Sequence, residues 1–201
     1  VYATKITRKY EPDCSDWIDF ANNLLNRKTT YMKKVILING IIGGFIVSAL
    51  MVLATLYFKS TGDFENGMIY GYASMILAFI FIFVGIKSYR DKYNSGLISF
   101  GKAFKIGLLI ALITSTFYVV TWLFEYFYVF TDFAEIYAKE TLAKAKESGA
   151  TAAELAKKTA EIAKFNEMYK NPFFNALITY TEILPVGLVV SLISAFFLKK
   201  K

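Results

Sequence analysis

Two long stretches without a single charge, Val35–Phe58 and Asn66–Ile86, limit this chain more than any other feature. A helix rises about 1.5 Å per residue, so roughly 20 apolar residues cross a hydrocarbon core of about 30 Å. Each stretch meets that length. A third, Ile106–Phe124, lies between Lys105 and Glu125. A fourth, Ile183–Leu198, reaches only about 24 Å as helix and must extend back through Glu182 to about Phe174 to span. The expected spans are therefore about 35–58, 67–87, 105–126 and 174–198, and an ordinary soluble single-core domain is excluded. The apolar share of 56% exceeds the usual 45–50% only modestly, because the apolar residues are gathered into the spans.

Basic residues near span ends stay preferentially in the cytoplasm. Lys87, Arg90, Lys92, Lys102 and Lys105 stand between spans two and three against one acid, Asp91. Arg27, Lys28, Lys33 and Lys34 precede span one, and Lys199, Lys200 and Lys201 follow span four. All fall on one face. The expectation is an inner-membrane, multi-pass protein of a Gram-negative bacterium with both termini cytoplasmic. The net charge of +7 then reflects topology and attraction to anionic head groups, and no basic domain is left for nucleic acid. Tyr57, Phe58, Trp122, Phe124, Tyr126, Phe127, Tyr128, Phe173 and Phe174 collect at the opposite ends, as belt residues do.

Outside the spans, residues 1–31 show no sustained period. Met32-Lys33-Lys34 before an apolar helix reads as a translation start, which would set 1–31 upstream of the natural protein. The other reading is a cytoplasmic segment whose Trp17, Ile18 and Phe20 rest on the membrane. The long loop, 131–171, reads as an extracytoplasmic helical hairpin. Asp132 with Glu135 and Thr151 with Glu154 have capping-box spacing, Ser148-Gly149-Ala150 breaks the chain, and Asn171-Pro172 opens span four. Phe133, Ile136 and Tyr137 stripe the first helix, and Leu155, Ile162 and Tyr169 the second. The hairpin either packs on itself, or serves as a docking surface for a partner or a cap over the outer mouth of the bundle. Before span three, Phe100, Ala103, Phe104 and Gly107 share a helical face, with Gly101, Lys102 and Lys105 beside it. With Lys87, Arg90 and Asp91 they form a cytoplasmic interfacial motif.

Small residues at four-residue spacing let helices approach closely in lipid. Gly40, Gly44 and Ser48 form such a row on span one, and Gly67, Gly71, Ser74 and Ala78 on span two. The sharpest polar position is Glu182. A carboxylate inside a span costs about 2.5–3.5 kcal/mol on insertion scales, so it is expected to face the bundle interior, find a partner or take up a proton. Pro185 cannot donate to the carbonyl of Thr181 and frees it beside Glu182. Tyr70, Tyr72, Tyr118 and Thr121 reach similar depth and are the candidate partners. Glu125, at the boundary, ranks well below it.

No histidine is present and Cys14 is the only cysteine, which excludes His-based catalysis, His-ligated zinc, a CxxC site and an internal disulfide. No phosphate loop, acid pair or nucleophile elbow is visible. No cofactor and no metal are expected, and the chain reads as no enzyme.

Three segments carry a family resemblance. They are Tyr70-Gly71-Tyr72-Ala73-Ser74-Met75 continuing to Gly85-Ile86-Lys87-Ser88-Tyr89-Arg90-Asp91-Lys92, Ile98-Ser99-Phe100-Gly101-Lys102-Ala103-Phe104-Lys105-Ile106-Gly107, and Pro185-Val186-Gly187-Leu188 with Ser194-Ala195. Over about residues 32–201 the chain resembles the small multi-pass membrane proteins grouped as domain of unknown function 4199, found mainly in Bacteroidota. The resemblance implies a multi-pass membrane protein and no assigned activity or site. The expected architecture is all-α: a membrane bundle of four transmembrane helices over residues 32–201, with the hairpin between spans three and four. The expected role is a non-enzymatic accessory or assembly protein acting through helix contacts. Its partners would be the bilayer and a second copy or another membrane protein. The alternative is a small transporter or channel component using Glu182.

Overall fold

The computed structural model describes residues 13–61 and 64–200, with the side chains of 14–17, 19–21 and 64–68 left undescribed. The described chain is helical, and its one strand-like feature is an isolated bridge between Ile98 and Lys200. Six α-helices follow in order: α1 Cys14–Thr61, α2 Phe64–Ser88, α3 Phe100–Phe124, α4 Phe133–Glu147, α5 Ala152–Tyr169 and α6 Pro172–Leu198. π-helical turns, Tyr89–Tyr93 and Glu125–Val129, close α2 and α3. Four segments are long and apolar enough to cross a membrane: Asn22–Thr61, Ile69–Tyr93, Phe100–Val129 and Pro172–Leu198. Each runs beyond the expected span because the helices continue into the boundary on one or both sides.

α3 is the centre of the bundle and packs on α1, α2 and α6. The dry core between them is built from Phe79, Ile82 and Ile86 on α2, Ile106, Ile110 and Ala111 on α3, and Ile183 on α6, none of which is exposed. Large apolar side chains on the outer faces stay uncovered, among them Ile69, Ile76, Ile80, Val120 and Phe197. A water-soluble protein rarely leaves so continuous an apolar surface open, whereas lipid solvates it.

Local chemistry explains the helix ends. Asn171 caps α6 by accepting from the backbone N–H of Phe173 at 2.9 Å and Phe174 at 3.3 Å, with Pro172 placed where no donor is needed. α6 then continues through Pro185 to Leu198, so the fourth span includes Glu182. Ser99 caps α3. The turn before it needs a left-handed residue, supplied by Gly96 at φ +76°. Ile98 and Lys200 exchange backbone hydrogen bonds of 2.9 Å, and Arg90 Nη1 donates to the Leu198 carbonyl at 3.2 Å. The connection after α2 is thus tied to the end of α6, and Tyr31 on α1 stacks on Tyr93 at 4.5 Å. This is the terminal end of the bundle, and the end bearing α4 and α5 is the distal end.

One expectation is corrected, the cap at Asp132. Residues from Cys14 onward are the first turns of α1 and run without a break into the span. Trp17 and Phe20 have undescribed side chains, while Ile18 is exposed. Asp132 makes no side-chain cap on α4, since its backbone sits in a turn conformation (φ −92°, ψ 2°) that points the carboxylate away from the first N–H groups. The Thr151–Glu154 box does form, with both reciprocal bonds present.

Candidate functional site

At the distal end the four spans separate, and the helix pair α4–α5 lies across the gap. Asn166 Nδ2 on α5 donates to the Ala134 carbonyl on α4 at 3.2 Å. Trp122 Nε1 on α3 donates to the Tyr169 hydroxyl at 3.0 Å, and that hydroxyl sits 3.5 Å from Thr179 Oγ1 on α6. The Thr179 proton is committed to the Asn175 carbonyl at 2.8 Å, so Tyr169 is the donor in the weak contact between them. Burial pushes the Tyr169 phenol above its ordinary pKa, which keeps this proton in place. One chain of hydrogen bonds therefore pins α5 to α3 and α6.

Beneath the helix pair is a cavity of about 280 Å³. α1 contributes Met51, Thr55 and Phe58, and α2 contributes Gly71, Tyr72, Ser74 and Met75. Tyr118, Trp122, Tyr126 and Phe130 come from α3 and the π-turn that follows it. Phe133, Tyr137, Phe165 and Tyr169 form the roof, and Ile178 and Glu182 the α6 wall. Among the described lining residues Glu182 is the only charged one, and no described residue forms a hydrogen bond or ion pair with it. It lies within electrostatic range of Tyr118 and Tyr169. Below it the cavity ends on the dry core of Phe79, Ile110 and Ile183.

The expected partners of Glu182 divide. Tyr72 and Tyr118 share the cavity wall with it. Tyr70 turns to the outside and packs edge-on against Tyr57 at 5.2 Å. Thr121 Oγ1 donates to Ser48 Oγ at 2.7 Å between α3 and α1, and Thr181 Oγ1 donates to the Ile178 carbonyl at 2.6 Å. Pro185 is exposed one turn below. The aromatic belt is also corrected in part. Phe58, Trp122 and Tyr126 point inward and wall the cavity, while Phe124, Tyr128 and Phe173 remain outside. Helical phase, not depth, separates the two sets.

Glu125 lies inside the bundle. It is 2% exposed, and Thr55 Oγ1 donates to its Oε2 at 2.6 Å. Ordinary helical phase makes this possible: Glu125 is still α-helical (φ −60°, ψ −49°), its N–H bonds back to the Thr121 carbonyl, and it lies two turns after buried Tyr118 on the same face of α3. The chain widens only after it, where Phe130 N–H bonds to the Glu125 carbonyl at 2.6 Å. One turn further along α1, Lys59 Nζ donates to the Val129 carbonyl at 2.8 Å. Nothing in the local sequence marks a π-turn.

The small-residue row of α1 meets α3. A Cβ on Gly40 would fall 2.8 Å from Ile113, and one on Gly44 2.5 Å from the Phe117 ring. On α2, Ala78 is buried, Ser74 borders the cavity, and a Cβ on Gly71 would meet nothing within 4 Å. The surroundings of Gly67 lie outside the described residues. Close approaches that the four-residue rows did not include occur at Gly43, Gly85 and Gly187. Of the interfacial motif, Arg90 pairs with Asp91 at 2.6 Å, and Lys102 lies over the Tyr89 ring at 5.1 Å. Phe100 stacks on Phe104 at 6.2 Å, Lys87 and Lys105 are exposed, and Gly101 stands in open space. Among the described residues no group of His, Cys, Asp or Glu is placed to hold a metal.

The model of one protein family matches residues 38–200 of this sequence, nearly all of the bundle and its helix pair. The chain belongs to the DUF4199 family. That family is described as proteins of unknown function. No curated protein and no solved structure matches the chain. This DUF4199 member is therefore read from its own geometry.

Proposed function

We propose that this DUF4199 protein is a non-enzymatic small-molecule-binding protein of the bacterial inner membrane. It would hold its ligand in the distal cavity at Glu182. The reading favours the transport-related alternative over the helix-contact accessory role. A single observation carries it: a cavity of about 280 Å³, near the lower end of ordinary ligand sites, is built jointly by the spans and the helix pair and reaches a carboxylate that no described residue pairs with. A bundle that served only as a packing scaffold would gain from filling that space. The dry floor supports binding rather than a continuous pore. The distribution of lysine and arginine supports cytoplasmic termini, with the helix pair on the other side.

Gly71 allows a direct test, because a side chain there enters the cavity without touching the packed core. Purified protein in nanodiscs is to be screened for thermal stabilisation against small cations, anions and neutral amphiphiles. The wild type should be stabilised by at least one class, by about 2.7 kcal/mol at a hundredfold excess over Kd. Gly71→Leu should lose the effect while folding normally. No stabilisation by any class would count against the reading.

A second reading, the accessory role, has its own support. From Asn22 to Thr30 every α1 residue is exposed, and Leu24 and Leu25 present apolar surface beyond the bundle. A photo-crosslinker at Leu25 should then give one reproducible adduct, with a second copy or another membrane protein, in native membranes. A smear of adducts, or none, would reject it.

A further inference from the structure

The chemistry of the cavity wall restricts what it can hold. Glu182 is the only charged lining residue among those described, and no lysine or arginine faces it there. A carboxylate in a low-dielectric site without a counter-charge is costly, and an anionic ligand would add to that cost. Much of the rest of the wall is aromatic, with Tyr72, Tyr118, Trp122 and Tyr126 beside smaller apolar and hydroxyl side chains such as Met51, Met75, Thr55 and Ser74. The Phe130 ring, at the edge, already has Lys59 Nζ over it at 5.9 Å. Ring faces carry negative potential and attract cations, most strongly when water is excluded. Cation recognition by aromatic faces and one carboxylate is therefore the chemistry these side chains share.

The mouth restricts the ligand further. Tyr72 on α2 is 57% exposed, and Glu182 on α6 is exposed as well, although both lie within segments long enough to span. The opening between α2 and α6 thus faces lipid near the distal boundary of the spans. Above, Phe133, Tyr137 and Tyr169 from α4 and α5 stand between the cavity and the aqueous side. A ligand that enters between two spans must first partition into lipid, so it needs an apolar body as well as its charge.

Resting on the ligand-binding reading above, we infer that the cavity takes a monovalent organic cation with an apolar body, an amine or quaternary ammonium. It enters from the bilayer between α2 and α6, and its head is held between Glu182 and the aromatic wall.

The test uses an isosteric pair. Benzyltrimethylammonium is the cation, and neopentylbenzene replaces its charged nitrogen by carbon at nearly equal shape. Radiolabelled benzyltrimethylammonium is to be equilibrated with the full chain in nanodiscs, with empty nanodiscs subtracted and neopentylbenzene as competitor. The expected result is saturable binding, about one per chain, with the neutral compound competing at least about tenfold more weakly. Glu182→Gln should weaken binding of the cation by at least about tenfold, and Gly71→Leu should abolish it. Should Glu182→Gln fail to fold, the charged–neutral comparison on the wild type decides alone. Equal or tighter binding of the neutral isostere, or unchanged affinity in folded Glu182→Gln, would overturn the inference. If the neutral compound alone stabilises the wild type and not Gly71→Leu, the cation is rejected while ligand binding stands. If neither compound binds and the wider screen is also silent, both readings fall.

Discussion

Glu125 and Glu182 are the same side chain in neighbouring parts of one bundle, and their surroundings give them different work. Glu125 is enclosed and has the Thr55 hydroxyl as its partner. Thr55→Val keeps the shape and removes the donor, leaving a buried carboxylate unsatisfied. A loss of about 1–3 kcal/mol is expected, read as lowered thermal stability in nanodiscs. Adding Glu125→Met to Thr55→Val should recover much of it, because the orphaned polar group goes as well. Glu182 has no such partner among the described residues, so Glu182→Gln should change stability little and ligand binding strongly. The sequence pointed to Glu182, since depth along a helix can be counted from Leu198. It ranks Glu125 low, because depth along a helix does not say which face a side chain takes, and Glu125 falls on the buried face of α3 two turns after Tyr118.

Single helices show the same division between local and tertiary information. Caps are local: Asn171-Pro172 and the Thr151–Glu154 pair are visible as spacings and form as written. The Asp132 spacing is equally good and fails, because its backbone takes a turn conformation (φ −92°, ψ 2°) that spacing cannot reveal. The formed box carries a pH dependence. Hydrogen bonds from the Thr151 backbone N–H, and then from its hydroxyl, hold the Glu154 carboxyl below its ordinary range. A depressed folded value means that this stabilisation is complete above the unfolded pKa of about 4.3 and is lost as pH falls through the lower folded value. Amide protection factors over 152–156, with the intrinsic pH dependence of exchange divided out, should therefore fall on acidification below about pH 4. Glu154→Gln should flatten that dependence. The glycine rows separate in a comparable way. Gly44→Ala forces the new methyl onto Phe117 and should cost about 1–3 kcal/mol by overpacking. Gly71→Ala points into empty space and should be neutral or slightly stabilising. Both glycines look alike in sequence, and thermal denaturation of the pair would distinguish them.

At the scale of the whole molecule, four spans bring the beginning of α1 and the end of α6 to one end and the helix pair to the other. With the basic residues cytoplasmic, a cysteine at Lys92 in a Cys14→Ser background should resist an impermeant maleimide in intact spheroplasts, and one at Glu147 should label. The reverse pattern would invert the topology, and labelling of both or neither would reject it. Uncharged length fixed the number of spans and their approximate places, because the cost of dehydrating backbone and charge in lipid leaves a chain of this composition few alternatives. The lysine-rich flanks set the expected orientation for the same electrostatic reason. Only the packed structure decided which aromatic rings turn inward, which glycines touch a neighbour, and that the helix pair closes over a cavity at Glu182. Those outcomes depend on how four separately specified helices rotate about their axes against one another. That rotation is settled by side chains meeting across the bundle, between residues such as Ser48 and Thr121 or Trp122 and Tyr169 that lie far apart along the chain.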